Sequence, residues 1–271
     1  MSITLRPFEG EVGQLAVTVV TATAPKAAKL VKFSLPPLSL HYRVHDISCE
    51  DETRPRHVLR FTGGMSVATV YDWMLSILPD IPSLLPEGMS DGVFFFKSAF
   101  TGAVSVCRFM RNEVTFESES ASTVVIFKES LTKLASARRV QLEEGFSTDD
   151  RCIPSYLSLI QSKLEHQVAL TRQLQLLDAI REVMVQERDA AWLSAEYADI
   201  MRNEQAIRKE EQRRAKALEY LTRTVSDLFV SHNKLQGVDA RNRLADLQGV
   251  LLSSSFDRLV AFFQDASRRH H

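Results

Sequence analysis

Cysteine is scarce. The 271 residues hold three, Cys49, Cys107 and Cys152, widely separated and odd in number. No disulfide framework follows from them, and a reducing compartment is expected. An excess of one charge is missing too. Lys and Arg number 33 against 34 Asp and Glu, a net charge of -1. Neither half has the basic surplus that binding a phosphate backbone requires, which excludes nucleic acid as a main partner. No apolar run approaches the roughly 20 residues of a spanning helix. MSITLRPFEGEVG lacks the apolar stretch of a signal peptide, so the expectation is a soluble, cytoplasmic chain with no transmembrane segment. There is no Gly-x-Gly-x-x-Gly, no phosphate loop and no Gly-x-Ser-x-Gly elbow, which leaves nucleotide and serine-hydrolase chemistry without their usual signatures. Internal repeats and low-complexity tracts are also missing.

What is present divides by periodicity. From residue 3 to about 45 the pattern is β: ITLRPF, LAVTVVTAT and KLVKFSL alternate and are rich in Val and Thr. Turn residues separate them, and Pro36-Pro37 interrupts backbone pairing. About three strands cannot close a sandwich alone, so this segment reads as the end of a β domain. Residues 57–146 mix both periods. HVLRFTG, VFFFKSAF, VSVCRFM, EVTFESE and VQLEE read as strands. Ser66 is a candidate N-cap for a helix carrying Val67, Val70, Trp73, Met74 and Ile77, and a second helix spans about 122–138.

Residues 151–271 read as helical. One apolar stripe runs through Ile160, Leu164, Val168, Leu174, Leu177, Ile180 and Met184. Another runs through Leu218, Leu221, Val225, Leu228, Phe229, His232 and Leu235. RNEQAIRKEEQRRAK between them is mixed in charge and reads as a solvated helix or hairpin tip. Gly237 ends the second long helix, and short helices follow around 243–253 and 256–266.

Three chemistries are open to these residues. The stretch PPLSLHYRVHDISCE sets His41, His45 and Cys49 at intervals of four, with His57 beyond. On a helix that spacing suits a metal-dependent enzyme. On a strand, residues four apart stand about 13 Å from one another, too far to share an ion. Cys107 lies mid-strand, where a buried inert thiol is the usual outcome, and Cys152 precedes a helix without an obvious histidine neighbour. The helical stripes either pack inside an antiparallel hairpin or dock on another subunit.

Several separated blocks, PLSLHYRVHDISCEDETRP, HVLRFTG, VYDWMLSILPDIP, VFFFKSAF, SKLEHQVALTRQLQLLDAIRE and LEYLTRTVSDLFVSHNKLQG, together resemble the C-terminal region of the Bardet-Biedl syndrome 7 family. The likeness is collinear from about residue 3 to residue 264, with RNEQAIRKEEQRRAK and the Cys49 region matching poorly. It implies a subunit of the BBSome, a coat-like complex that carries membrane proteins in cilia. The fold class it implies agrees with the periodicity: α+β, with a partial β-sandwich like an adaptin ear at 1–40, an α/β platform at 41–150, and a helical hairpin with short terminal helices at 151–271. The expected function is a non-enzymatic scaffold with no cofactor and no metal. Its partners would be other BBSome subunits, with ciliary membrane-protein cargo reached indirectly. Its location would be cytoplasm, cilium, basal body and, through the complex, the ciliary membrane. Candidate contact residues are Leu218, Leu221, Val225, Leu228 and Phe229. Trp73 is a second candidate, because the appendage platforms of clathrin adaptors use an aromatic groove for short peptides; its place on the apolar stripe of its helix favours the other reading, a core residue. Strands lacking the rest of their sandwich also predict an exposed sheet edge, and with it a homodimer of the isolated chain.

Overall fold

Alternating β-branched and aromatic residues build most of the N-terminal half. The computed structural model describes residues 7–21, 27–187, 194–238, 243–252 and 256–268. They fall into two compact units, the first of Met1–Tyr156 with Leu228–Asn242, the second of Leu157–Asp227 with Arg243–His271.

The first unit opens with an antiparallel ribbon of β1 (Gly13–Val20) and β2 (Ala28–Leu35). Phe33 faces Leu15 and Val31 faces Val17, so one side of the ribbon is apolar. That side is largely bare: Val19 and Phe33 are each 52% exposed. Of the first expected strand, ITLRPF, residues 3–6 lie outside the described residues, and Pro7 and Phe8 are not in a strand. The described ribbon therefore has two strands rather than three. The chain just before it is pinned to the rest of the unit. Gly10 N–H donates to Pro37 C=O at 2.9 Å, and the Thr123 hydroxyl donates to the Glu9 carboxylate at 2.6 Å.

The remaining strands form one sheet: β3 (His41–Val44), β4 (His57–Gly63), β5 (Asp91–Ser98), β6 (Val104–Met110), β7 (Glu113–Ser118) and β8 (Leu142–Ser147). Their order is β3-β5-β6-β7-β4-β8, with every neighbouring pair antiparallel. Helices α2 (Val67–Ile77) and α3 (Ala121–Ala137) lie on one face. Each starts where sequence chemistry demands: Ser66 accepts from Thr69 N–H at 3.1 Å, and Ser120 from Thr123 N–H at 3.4 Å. A short helix, α1 (Cys49–Thr53), stands in the crossover from β3 to β4, where periodicity gave no element because CEDET has no apolar stripe. Between the sheet and α2/α3 sits an aromatic core. Phe61, Phe94, Phe96, Phe109 and Phe116 meet Trp73, Met74, Phe127 and Leu131. Phe116 and Phe127 stack with centroids 4.1 Å apart. Burial of such side chains contributes about 2–3 kcal/mol each.

The second unit is helical. It takes in most of α4 (Cys152–Glu187), α5 (Ala195–Arg202), most of α6 (Glu204–Leu235), α7 (Leu244–Leu252) and α8 (Phe256–Arg268). α4 and α6 run antiparallel. Leu170 and Leu174 of α4 pack on Ile207 of α6, and Ile200 of α5 leans on that cluster. Charges flank the seam. Arg208 donates to Asp178 at 2.9 Å and to Glu204 at 3.0 Å, Arg181 pairs with Glu204, and His166 meets Glu210 at 2.7 Å. Gly237 has φ +75°, the left-handed value that stops a helix, and a side chain there would be strained.

Candidate functional site

The expected contact residues are mostly interior. Leu221, Val225, Leu228 and Phe229 are each no more than 3% exposed, and Leu218 is half-buried. The i, i+3, i+4 spacing that marks an apolar stripe says nothing about which layer covers it, and here the cover comes from within the chain. The four buried residues therefore present no apolar surface to another subunit, which corrects that expectation. Trp73 is likewise 1% exposed. It lies on the core side of α2, with the Arg138 guanidinium 5.9 Å from its ring and its indole N–H without a hydrogen-bond partner. A side chain so enclosed lines no peptide groove, so the aromatic-groove expectation fails at this position.

The histidines are dispersed. His41 is on β3 and His57 on β4, and β5, β6 and β7 lie between those strands. Four strand spacings of roughly 4.8 Å hold them about 19 Å apart. His45 follows β3 and is exposed. Among the described residues, no group of three or more His, Cys, Asp or Glu is arranged to hold a metal ion. Burial raises the pKa of the Cys107 thiol, whose Sγ lies 3.2 Å from Met74 Sδ, and burial raises that of Cys152 as well. Neither thiol is activated as a nucleophile.

Two arrangements escaped the reading by periodicity. The first is a charged strap. α1 crosses the sheet on the face opposite α2 and α3, as its partners record: residues 97 and 117 point to that side of β5 and β7. Lys97 Nζ bonds Asp51 at 2.7 Å, Arg54 lies 3.8 Å from Glu119, and Arg56 lies 3.5 Å from Glu117. Glu119 is fully buried, and neither carboxylate oxygen has a hydrogen-bond partner. Burial lifts its pKa to about 6, against the pull of Arg54. Asp51 is held below the usual carboxylate range: burial acts to raise it, and its bonds to Lys97 and Ser48 with the nearby Arg54 outweigh that. The second arrangement joins His57 at the start of β4 to His232 near the end of α6, with ring centroids 6.4 Å apart. Both are buried and both stay neutral at pH 7, since burial lowers their pKa values. The apolar company of His232 in its stripe was the one signal in the sequence that this residue faces inward.

The strap side of the sheet also carries exposed apolar residues. Tyr42, Val93 and Met110 lie on the same side as the strap, each 45 to 46% exposed. A shallow depression at one end of β4 is lined by Thr62, Gly63, Asn112, Gln141 and Glu143.

Comparison with known proteins bears on what these surfaces meet. Residues 41–147 match the family model described as the BBS7 platform domain, and residues 150–263 match the one described as the BBS7 hairpin. The chain is 31% identical over 266 residues to the mouse (Mus musculus) protein named BBSome complex member BBS7. It is 22% identical over 268 residues to the Caenorhabditis elegans protein named BBSome complex member bbs-7. Each alignment takes in 98% of this chain and 37% of the relative, so the chain spans little more than a third of the length of these curated relatives.

Proposed function

The chain belongs to the BBS7 family, and from that premise we propose that it acts as the platform and hairpin part of a BBSome subunit, a scaffold working by protein–protein contact. The observation that carries this reading is the collinear match of both family domains, platform then hairpin, across 41–147 and 150–263. Its partners on this reading are the other BBSome subunits, and membrane-protein cargo of cilia is reached through them. Location follows the complex: cytoplasm, basal body, cilium and ciliary membrane. No helix among the described residues is long and apolar enough to cross a membrane, which is consistent with attachment through partners.

The fold supports a division of labour. Leu221, Val225, Leu228, Phe229 and Trp73 stiffen the scaffold from inside. Contact falls to outward groups such as Tyr42, Val93, Met110 and the half-buried Leu218. A standard interface takes about 800 Å² from each partner, more than these few side chains supply, so polar neighbours must share in it. The test is purification of the tagged chain from a ciliated cell of its own species, with bound proteins identified by mass spectrometry. Recovery of BBSome subunits is expected. A chain that comes down alone, while a longer relative treated alike brings the complex with it, overturns the assignment of assembly contacts to this region.

A second reading concerns the chain by itself. The bare apolar side of the β1–β2 ribbon, to which no third strand is paired among the described residues, favours pairing with another copy. Light scattering should show a concentration-dependent dimer, and a strict monomer across concentrations counts against it.

A further inference from the structure

We propose that the end of α6, from Leu228 to Leu235, is an acid-released latch on the platform sheet, with His57 and His232 as its paired proton acceptors. The latch is fastened in three ways. Leu235 packs against the aromatic core, Lys234 pairs with Glu129 of α3, and the His232 ring lies against His57. The third fastening is the one that changes character when an imidazole takes up a proton.

The geometry around His57 leaves a proton poorly accommodated. His57 is fully buried. Its Nδ1 is 2.7 Å from the Thr148 hydroxyl, and its Nε2 is buried with no hydrogen-bond partner. The ring of Phe146 from β8 stacks on it at 6.3 Å, and across β7 it is opposite uncharged Ser118. The α6 side offers it His232, which carries the same charge once protonated. His232 itself is 7% exposed, with Gln236 Nε2 at 3.3 Å. Asp150 draws His232 toward protonation, yet burial outweighs it. Asp149 is occupied by Arg151, Lys234 adds positive charge, and Cys152 is a neutral thiol. An imidazole shut away from water, with its Nε2 unpartnered and a second ring beside it, favours the neutral form, and a proton on it favours the state in which the latch opens and the ring is hydrated.

The sign follows from linkage. Burial and the second ring lower the pKa of His57 to about 4, from 6.5 when hydrated. Its contribution to docking is complete above about pH 6.5 and is lost as pH falls from there toward 4. His232, lowered as well, adds in the same direction. A latch of this kind would let the helix end come away while the aromatic core beneath it stays folded.

The experiment is hydrogen exchange on the full chain at pH 7 and pH 5, with intrinsic exchange rates divided out. Protection of amides 228–236 should fall about twentyfold between the two, while amides of β6 and β7 hold. His57→Phe keeps a ring of similar size that takes no proton, and it should remove most of that fall. His232→Phe is the second variant, in case loss of the Thr148 contact unfolds the first. Imidazole NMR gives an independent reading, with His57 titrating well below 6. An equal fall in both variants, or His57 titrating near 6.5, overturns the proposal.

Discussion

Two stretches of β structure in the first unit carry the same alternation and meet opposite fates. In the ribbon, Leu15, Val17, Val19, Val31 and Phe33 share one side, and Phe33 and Val19 are half exposed. In the sheet, Phe94, Phe96, Phe109 and Phe116 share one side, and none is more than 5% exposed. The difference is the layer above. α2 and α3 follow the strands of the sheet and return over them, whereas nothing among the described residues of this chain closes over the ribbon. Alternation makes a strand amphipathic, but only a second layer turns its apolar side into a core.

That contrast can be broken from the sheet side first. Phe116→Ala empties a site stacked directly on Phe127 and should cost about 3–5 kcal/mol, read from urea unfolding followed by circular dichroism. A loss below about 1 kcal/mol would mean the core is not packed as described. Gly92→Ala comes next. A methyl group there would lie 2.5 Å from the Phe109 ring, so the core must shift, at about 1–3 kcal/mol. The same unfolding assay checks it, and an unchanged midpoint would deny the close approach of β5 to that ring.

Glu119 acts in the other direction. Its pKa of about 6 lies above the ordinary 4.5, so the ionised form weakens the fold at neutral pH and the penalty disappears as pH falls from about 6 to 4.5. Glu119→Gln should therefore stabilise the chain by about 2 kcal/mol at pH 7 and by almost nothing at pH 4. Destabilisation at both pH values would show that Arg54 holds the strap more strongly than burial opposes it. The ribbon should respond least. Phe33→Ser is expected to change unfolding by less than about 0.5 kcal/mol while reducing self-association in light scattering. A loss comparable to that of Phe116→Ala would mean that the ribbon is covered after all.

Much of the fold was legible because its signals are local. Ser66 marks a helix start through its own hydroxyl, and Gly237 marks a helix end through its own backbone freedom. HVLRFTG and VSVCRFM announce strands by alternation within seven residues. α1 was not legible, because its five residues are held by Lys97 and by the flanking Arg54 and Arg56, partners that lie elsewhere in sequence or carry no period. The contact residues were misplaced for a related reason. A stripe such as Leu221, Val225, Leu228 and Phe229 fixes which side of a helix is apolar, and leaves open whether the chain or a partner covers it.

By itself, then, the sequence determined most of the strands, the longer helices, the Ser66 cap, the α+β class and the resemblance to one family, since each is encoded in neighbouring residues or in ordered blocks of them. Only the tertiary structure decided which apolar faces are covered and which stay bare. It alone set His57 against His232 and buried the Glu119 carboxylate. Those outcomes depend on contacts between residues distant in the chain, where burial and the loss of hydration set the energy, and no local pattern records them.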